Sequence, residues 1–320
     1  MPILATGILT LLLVFYSGYA VRGQNSSTVS EMVASSFLYS MLVSWIIFLT
    51  AYIFDLSAFP VSILIIAVTG LGFWYGNYKK TPAGSNYSKK DLIQSLIVVF
   101  GAAVVLFFTY LYIQKFYTPV FTFWDVVASY NNWAIELANG GYHAGGTAYP
   151  ILYPGLWSLI YRLQDDPGFW IFSKITLLAA PVTLFVYSVS LSLERRSLFP
   201  IIFILACFGL VIFRTPYFLS GMMDIAVSIL GMLTCLILWK ESTEEKPEDL
   251  SLLAAGITSL VKQAGLAFLL LAVLIKSIDI WKGNVSIKQC WKPALVAVAL
   301  PFSFMVFFLY YNDIGQIPAG

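Results

Sequence analysis

The chain has 320 residues, of which 59% are hydrophobic and only 11% charged, with a net charge of +2. Soluble domains carry about 25% charged residues, so a chain this apolar buries its surface in lipid. The near-neutral balance leaves no broad basic footprint for nucleic acid, and Cys207, Cys235 and Cys290 are too dispersed for a disulfide framework or a zinc site.

The first apolar run, 3–21, starts almost at Met1 with no Lys or Arg before it, unlike a secretory signal, and reads as a retained span. Further runs fall at 32–54, 60–76, 92–113, 169–192, 198–213, 217–239, 250–275 and 293–311. Most approach the roughly 20 residues that a helix needs to cross about 30 Å of hydrocarbon. In lipid the backbone satisfies itself only in helices or closed barrels, and no period-2 alternation marks barrel strands. The expected fold is therefore an all-α, polytopic membrane helix bundle of about ten crossings. Residues 1–91 form three N-terminal transmembrane helices and a cytoplasmic loop, and 92–320 form a second membrane module. The last run is followed by no polar tail, which leads us to expect further sequence, such as a soluble outer domain, after Gly320.

Orientation follows from Lys and Arg in short loops. Lys79, Lys80, Lys89 and Lys90 mark one cytoplasmic loop, Lys276, Lys282, Lys288 and Lys292 another, and Glu194-Arg195-Arg196 a third. Counting from these puts the loop carrying Arg22 inside and the N-terminus outside. The run 92–113 then delivers Phe121–Tyr161 to the outside. That stretch is the longest interval without an unbroken apolar span, and it holds Asp125, Glu136 and the only histidine, His143.

Within it, Val126–Asn139 reads as an amphipathic helix on the membrane surface, anchored by Trp133 and stopped by Gly140-Gly141. Tyr149-Pro150 and Tyr153-Pro154 favour an extended entry to 151–162. That run of about 12 residues makes roughly 18 Å of helix, too short to cross, and is expected to be re-entrant or interfacial. The run 250–275 contains Lys262-Gln263 near its middle. A charge at mid-bilayer is costly, so two short helices, 250–261 and 264–275, are expected to meet at the outer face with Lys262 at the turn.

This arrangement gathers Asp125, Glu136, His143, Arg162, Asp165, Asp166, Arg214, Asp224 and Lys262 on one face. Asp125 follows Phe121-Thr-Phe-Trp124, where a carboxylate between aromatics can act as a general base, and where it can equally cap the helix after it. Asp224 can orient a substrate hydroxyl or pair with Arg214. Lys262 is the first candidate for a phosphate contact, backed by Arg214, Arg162 and His143, and its other reading is a side chain reaching to the membrane rim. Tyr149 and Tyr153 complete the candidate binding residues. Asp165-Asp166-Pro167 reads as a turn.

The order of parts is an outer loop with an aromatic-acid opening, a helix, Tyr149-Pro150 with Tyr153-Pro154, Asp224 at a helix start, and Ile257-Thr-Ser-Leu-Val-Lys262-Gln-Ala-Gly-Leu266. Over about residues 92–311 it resembles the glycosyltransferase C superfamily, closest to the branch of protein mannosyltransferases and lipid A aminoarabinose transferases. It departs from that branch at Val126, where the family often has a second acid, and in its split proline pair. The resemblance implies transfer of a sugar from a polyprenyl-phosphate donor to a glycan, lipid or protein acceptor at the outer face of the plasma membrane of a prokaryote. It casts Asp125 as the base and Lys262, with Arg214 or Arg162, as the partner of the departing lipid phosphate. It implies no cofactor. Other branches use a divalent ion, for which Asp125, Asp165 and Asp166 offer oxygen ligands. The competing readings are a secondary transporter, which wants an inverted repeat and a midplane site, a non-catalytic assembly subunit, and a polymerase or ligase of lipid-linked glycans.

Overall fold

In the computed structural model the described residues are 3–21, 26, 28–79, 121, 126–141, 149–164, 170–214, 222–243 and 250–314. The expected helix at 92–113, the loop lysines at 80–90, and Arg22, Asp125, His143, Asp165 and Asp166 lie outside them. Among the described residues all regular structure is helical. Five helices there are long and apolar enough to cross a membrane: Leu4–Val21, Val29–Ile53, Ile171–Arg195, Met223–Glu241 and Ile287–Tyr310.

The first span is α1 (Ile3–Leu11), a π-turn (Leu12–Tyr16) and α2 (Ser17–Val21). The wider π-turn shifts the backbone pairing, and the Gly18 N–H donates to Ser40 Oγ at 2.8 Å on the next helix. That next helix, α3 (Val29–Ile53), is capped by Thr28, whose side chain accepts from the Glu31 N–H. Its far end is a Schellman turn: Leu56 N–H donates to Ala51 O at 2.8 Å and Asp55 N–H to Tyr52 O at 3.2 Å. Asp55 stands in the left-handed slot, at φ 44°. α4 (Ala58–Lys79) follows at once.

The loop after Phe121 departs from expectation. The stretch 126–139 is a π-turn (Val126–Asn131) leading into a short α5 (Asn132–Ala138), ended by Gly140 at φ 81°. Trp133 is not a surface anchor. It is 8% exposed, stacked on Tyr149 at 6.2 Å and edge-on to Tyr130 at 5.3 Å, because the protein itself supplies the apolar surface it needs. α6 (Leu152–Leu163) is the expected 12-residue helix, and its apolar side chains are buried.

α7 (Ile171–Arg195), α8 (Phe199–Arg214) and α9 (Met223–Glu241) follow. The run 250–275 is split as its central charge predicted, into α10 (Leu250–Ser259) and α11 (Gly265–Trp281). α11 runs past the expected boundary because Lys276 is not a loop residue; it is folded inward at 3% exposure. α12 (Ile287–Ile314) begins earlier than its apolar run, since Lys288, Gln289 and Lys292 occupy a first part that reaches past the apolar segment.

Two sets of contacts define the two ends of the bundle. At one end Glu194 accepts from Ser30 N–H at 2.8 Å and Ser30 Oγ at 2.5 Å, Lys240 Nζ reaches Ser30 Oγ at 3.3 Å, and Lys276 Nζ meets Glu241 at 2.8 Å. At the other end Thr6 Oγ1 donates to Leu163 O at 3.2 Å, Arg162 donates to Leu56 O and Leu137 O, and Leu152 N–H donates to Leu260 O at 2.9 Å. These contacts tie the start of α6 to Leu260 and its end to Thr6, Leu56 and Leu137.

Candidate functional site

The site grows from the turn between α10 and α11. Leu260 N–H donates to Ile257 O, Val261 N–H to Thr258 O, and Gly265 N–H to Lys262 O at 2.8 Å, which folds the chain back on itself. Gly265 sits against the Thr258 carbonyl, so closely that a side chain there has no room. Lys262 projects from this turn. Asp224, in the first turn of α9, faces it: Lys262 Nζ lies 2.6 Å from Asp224 Oδ1, across 38 positions of sequence. The positive end of α9 also favours the carboxylate.

Both members of the pair reach solvent, with side chains 23% exposed for Lys262 and 62% for Asp224. An ion pair this open contributes at most about 1 kcal/mol to stability. Its chemical value is different. Asp224 fixes an ammonium group in place, and the ammonium keeps donors for an incoming anion.

Other sequence candidates divide clearly. Tyr149 is stacked on Trp133, and the start of α6 is tied to the Lys262 turn by the Leu152–Leu260 hydrogen bond. Tyr153 is 1% exposed in the core, and burial pushes its phenol up, so it supports the segment from within rather than presenting a hydroxyl at a surface. Arg162, with a side chain 7% exposed, is not beside Lys262. It lies at the other end of α6, where Nη1 donates to Leu56 O at 2.8 Å and Nη2 to Leu137 O at 2.9 Å. Asp224 pairs with Lys262; Arg214, the partner expected from the sequence, is the last residue of α8, and its side chain is outside the described set.

The described residues nearest Asp125, Phe121 and Val126, are both buried. Phe121 stacks on Trp157 of α6 at 4.9 Å and on Trp170 at 5.4 Å, and Val126 is fully buried. Lys174 of α7, 4% exposed, places its Nζ 5.4 Å from the centre of the Phe121 ring. Sequence reasoning passes over Lys174 because it lies near one end of an apolar run, where a single charge is unremarked; its position three residues into a span was the available signal. Asp55 is passed over because Phe54-Asp55-Leu56-Ser57 reads as a plain turn.

No family model, curated protein or solved structure matches the chain.

Proposed function

We propose that this protein is a membrane glycosyltransferase that moves a sugar from a polyprenyl-phosphate donor to a glycan, lipid or protein acceptor. The observation that carries the reading is the Asp224–Lys262 pair at 2.6 Å, formed at the end of the bundle where the Tyr-Pro-marked helix begins. In this reading the chain makes about ten crossings, and the end bearing Lys240, Lys276 and Arg195 is cytoplasmic. The pair then lies at the outer face, in the plasma membrane of a prokaryote.

The acceptor hydroxyl oxygen attacks the anomeric carbon in line, and Asp125 takes its proton. The bond from that carbon to the phosphate oxygen breaks, and the lipid phosphate leaves with the electron pair. Lys262 neutralises the charge that develops on the phosphate, held ready by Asp224. Preorganisation matters here because a lysine that must be recruited from solvent loses side-chain entropy during the step.

The test is transfer of radiolabelled sugar from a polyprenyl-phosphate donor by the full chain in proteoliposomes. Asp125→Asn is expected to abolish turnover, and Lys262→Ala to lower kcat by about 10²–10³-fold, the range for removing one transition-state donor. Lys262→Arg, which keeps the charge, retains part of the rate. Full turnover by Asp125→Asn rejects Asp125 as the base, and no transfer by the unaltered chain rejects the catalytic reading and leaves an assembly subunit.

A further inference from the structure

At the opposite end of α6 from Lys262, about 15 Å away along the helix, there is a cavity of about 410 Å³. It lies between the α3–α4 turn, the end of α5 and the end of α6. Its polar lining comes from Asp55, Ser57, Asn139, Tyr161, Arg162 and Gln164. The volume is in the range of small-molecule sites.

The charges in this cavity select its occupant. Arg162 is 3.5 Å from Asp55 Oδ1, and its two Nη groups already donate to the carbonyls of Leu56 and Leu137. The guanidinium therefore builds the wall. Asp55, whose side chain is 87% exposed, leaves most of its acceptor capacity open. One carboxylate and one guanidinium leave the lining without net charge. A phosphate would meet the Asp55 carboxylate, and a metal ion would find one carboxylate beside a cation. A neutral molecule rich in hydroxyl groups meets neither obstacle. It finds a carboxylate and two carboxamides, groups able to pair with adjacent hydroxyls, and a hydroxyl at Ser57.

The backbone adds a second observation. Asp55 occupies the left-handed position of a Schellman turn, at φ 44°, where glycine is the least strained residue. The chain keeps a side chain at a place where fold alone favours none.

We infer that this cavity binds a sugar ring of the acceptor, about 15 Å from the phosphate-binding pair. The inference rests on the transferase reading for the word acceptor, and on the cavity alone for the word sugar.

The full chain in lipid nanodiscs, free of maltoside detergent, is titrated with the methyl glycosides of glucose, mannose and N-acetylglucosamine, followed by saturation-transfer NMR. At least one glycoside is expected to bind. Asp55→Gly relieves the backbone and removes the carboxylate, so its thermal midpoint should be equal or higher while binding weakens about tenfold, the effect of one lost charge-assisted hydrogen bond. Asp55→Asn, which also tolerates the left-handed slot, should weaken binding similarly. Unchanged binding in Asp55→Gly, or no binding by the unaltered chain, overturns the inference. Displacement of the glycoside by the polyprenyl-phosphate sugar assigns the cavity to the donor and overturns the acceptor assignment. Transfer without glycoside binding rejects this inference alone, whereas glycoside binding at Asp55 without transfer rejects the transferase reading and upholds the cavity as a sugar site.

Discussion

Glu241 and Lys276 form an ion pair at 2.8 Å with both side chains only 4% exposed. The Ser251 N–H and hydroxyl also donate to the Glu241 carboxylate, which supplies the hydrogen bonds that a buried charge needs. Such a pair is weak evidence for net stabilisation, yet removing one partner strands the other. Lys276→Met is therefore expected to lower unfolding stability by about 3–5 kcal/mol, and Glu241→Gln in the same chain to recover much of it. Denaturant unfolding in detergent micelles measures both, and equal losses in single and double variants would reject the coupling. The Asp224–Lys262 pair makes the contrast. Its openness predicts that Asp224→Asn changes stability by less than about 1 kcal/mol, so any large loss of turnover there reflects chemistry rather than folding. Sequence alone ranked Lys276 as a loop charge and Lys262 as a rim charge, and neither rule looks for a partner. Only the partner, Glu241 in one case and exposed Asp224 in the other, separates a buried staple from an accessible site.

At the scale of elements, the turn between α10 and α11 was legible because a lysine at mid-bilayer is costly. The structure adds Gly265, which the charge alone did not single out. Gly265 lies against the backbone of Thr258, and an added Cβ collides with that carbonyl rather than with a side chain able to move. Gly265→Ala is expected to cost about 1–3 kcal/mol, whereas Gln263→Ala, at an exposed position of the same turn, is expected to cost less than about 1 kcal/mol. Thermal unfolding of the two variants decides it, and indifference to Gly265→Ala would remove the close approach from the account of the turn. The stretch 126–139 was less legible. Its spacing of apolar residues suits a helix on a membrane surface, and the same spacing suits one packed on α6. Periodicity reports that one face is apolar, not whether lipid or protein covers it. Trp133 against Tyr149 is protein.

Among the described residues, the charged contacts gather at two ends, and this was readable in outline from loop lysines. The contacts now tie specific residues together. Ser30, Glu194, Lys240, Glu241, Ser251 and Lys276 are joined at one end, while Asp55, Arg162, Asp224 and Lys262 belong to the other. α9 joins the ends, carrying Asp224 in its first turn and Lys240 in its last. Its 19 residues give about 28 Å of helix, close to the hydrocarbon thickness of a bilayer. The two ends should then face opposite sides of the membrane, with the lysine- and arginine-rich end inside. In a chain whose Cys207, Cys235 and Cys290 are replaced by alanine, single cysteines report the side. Gln263→Cys and Asn139→Cys, at exposed positions of one end, should react with a membrane-impermeant maleimide on intact cells. Thr243→Cys and Lys282→Cys, exposed at the other, should react only after the membrane is opened. Labelling of Gln263→Cys and Thr243→Cys from the same side would reject the crossing by α9, and with it the outer placement of the Asp224–Lys262 pair. The reverse pattern, with Thr243→Cys labelled on intact cells, would keep the crossing and move the pair to the cytoplasmic face, where a lipid-linked donor must present its phosphate from the inner leaflet.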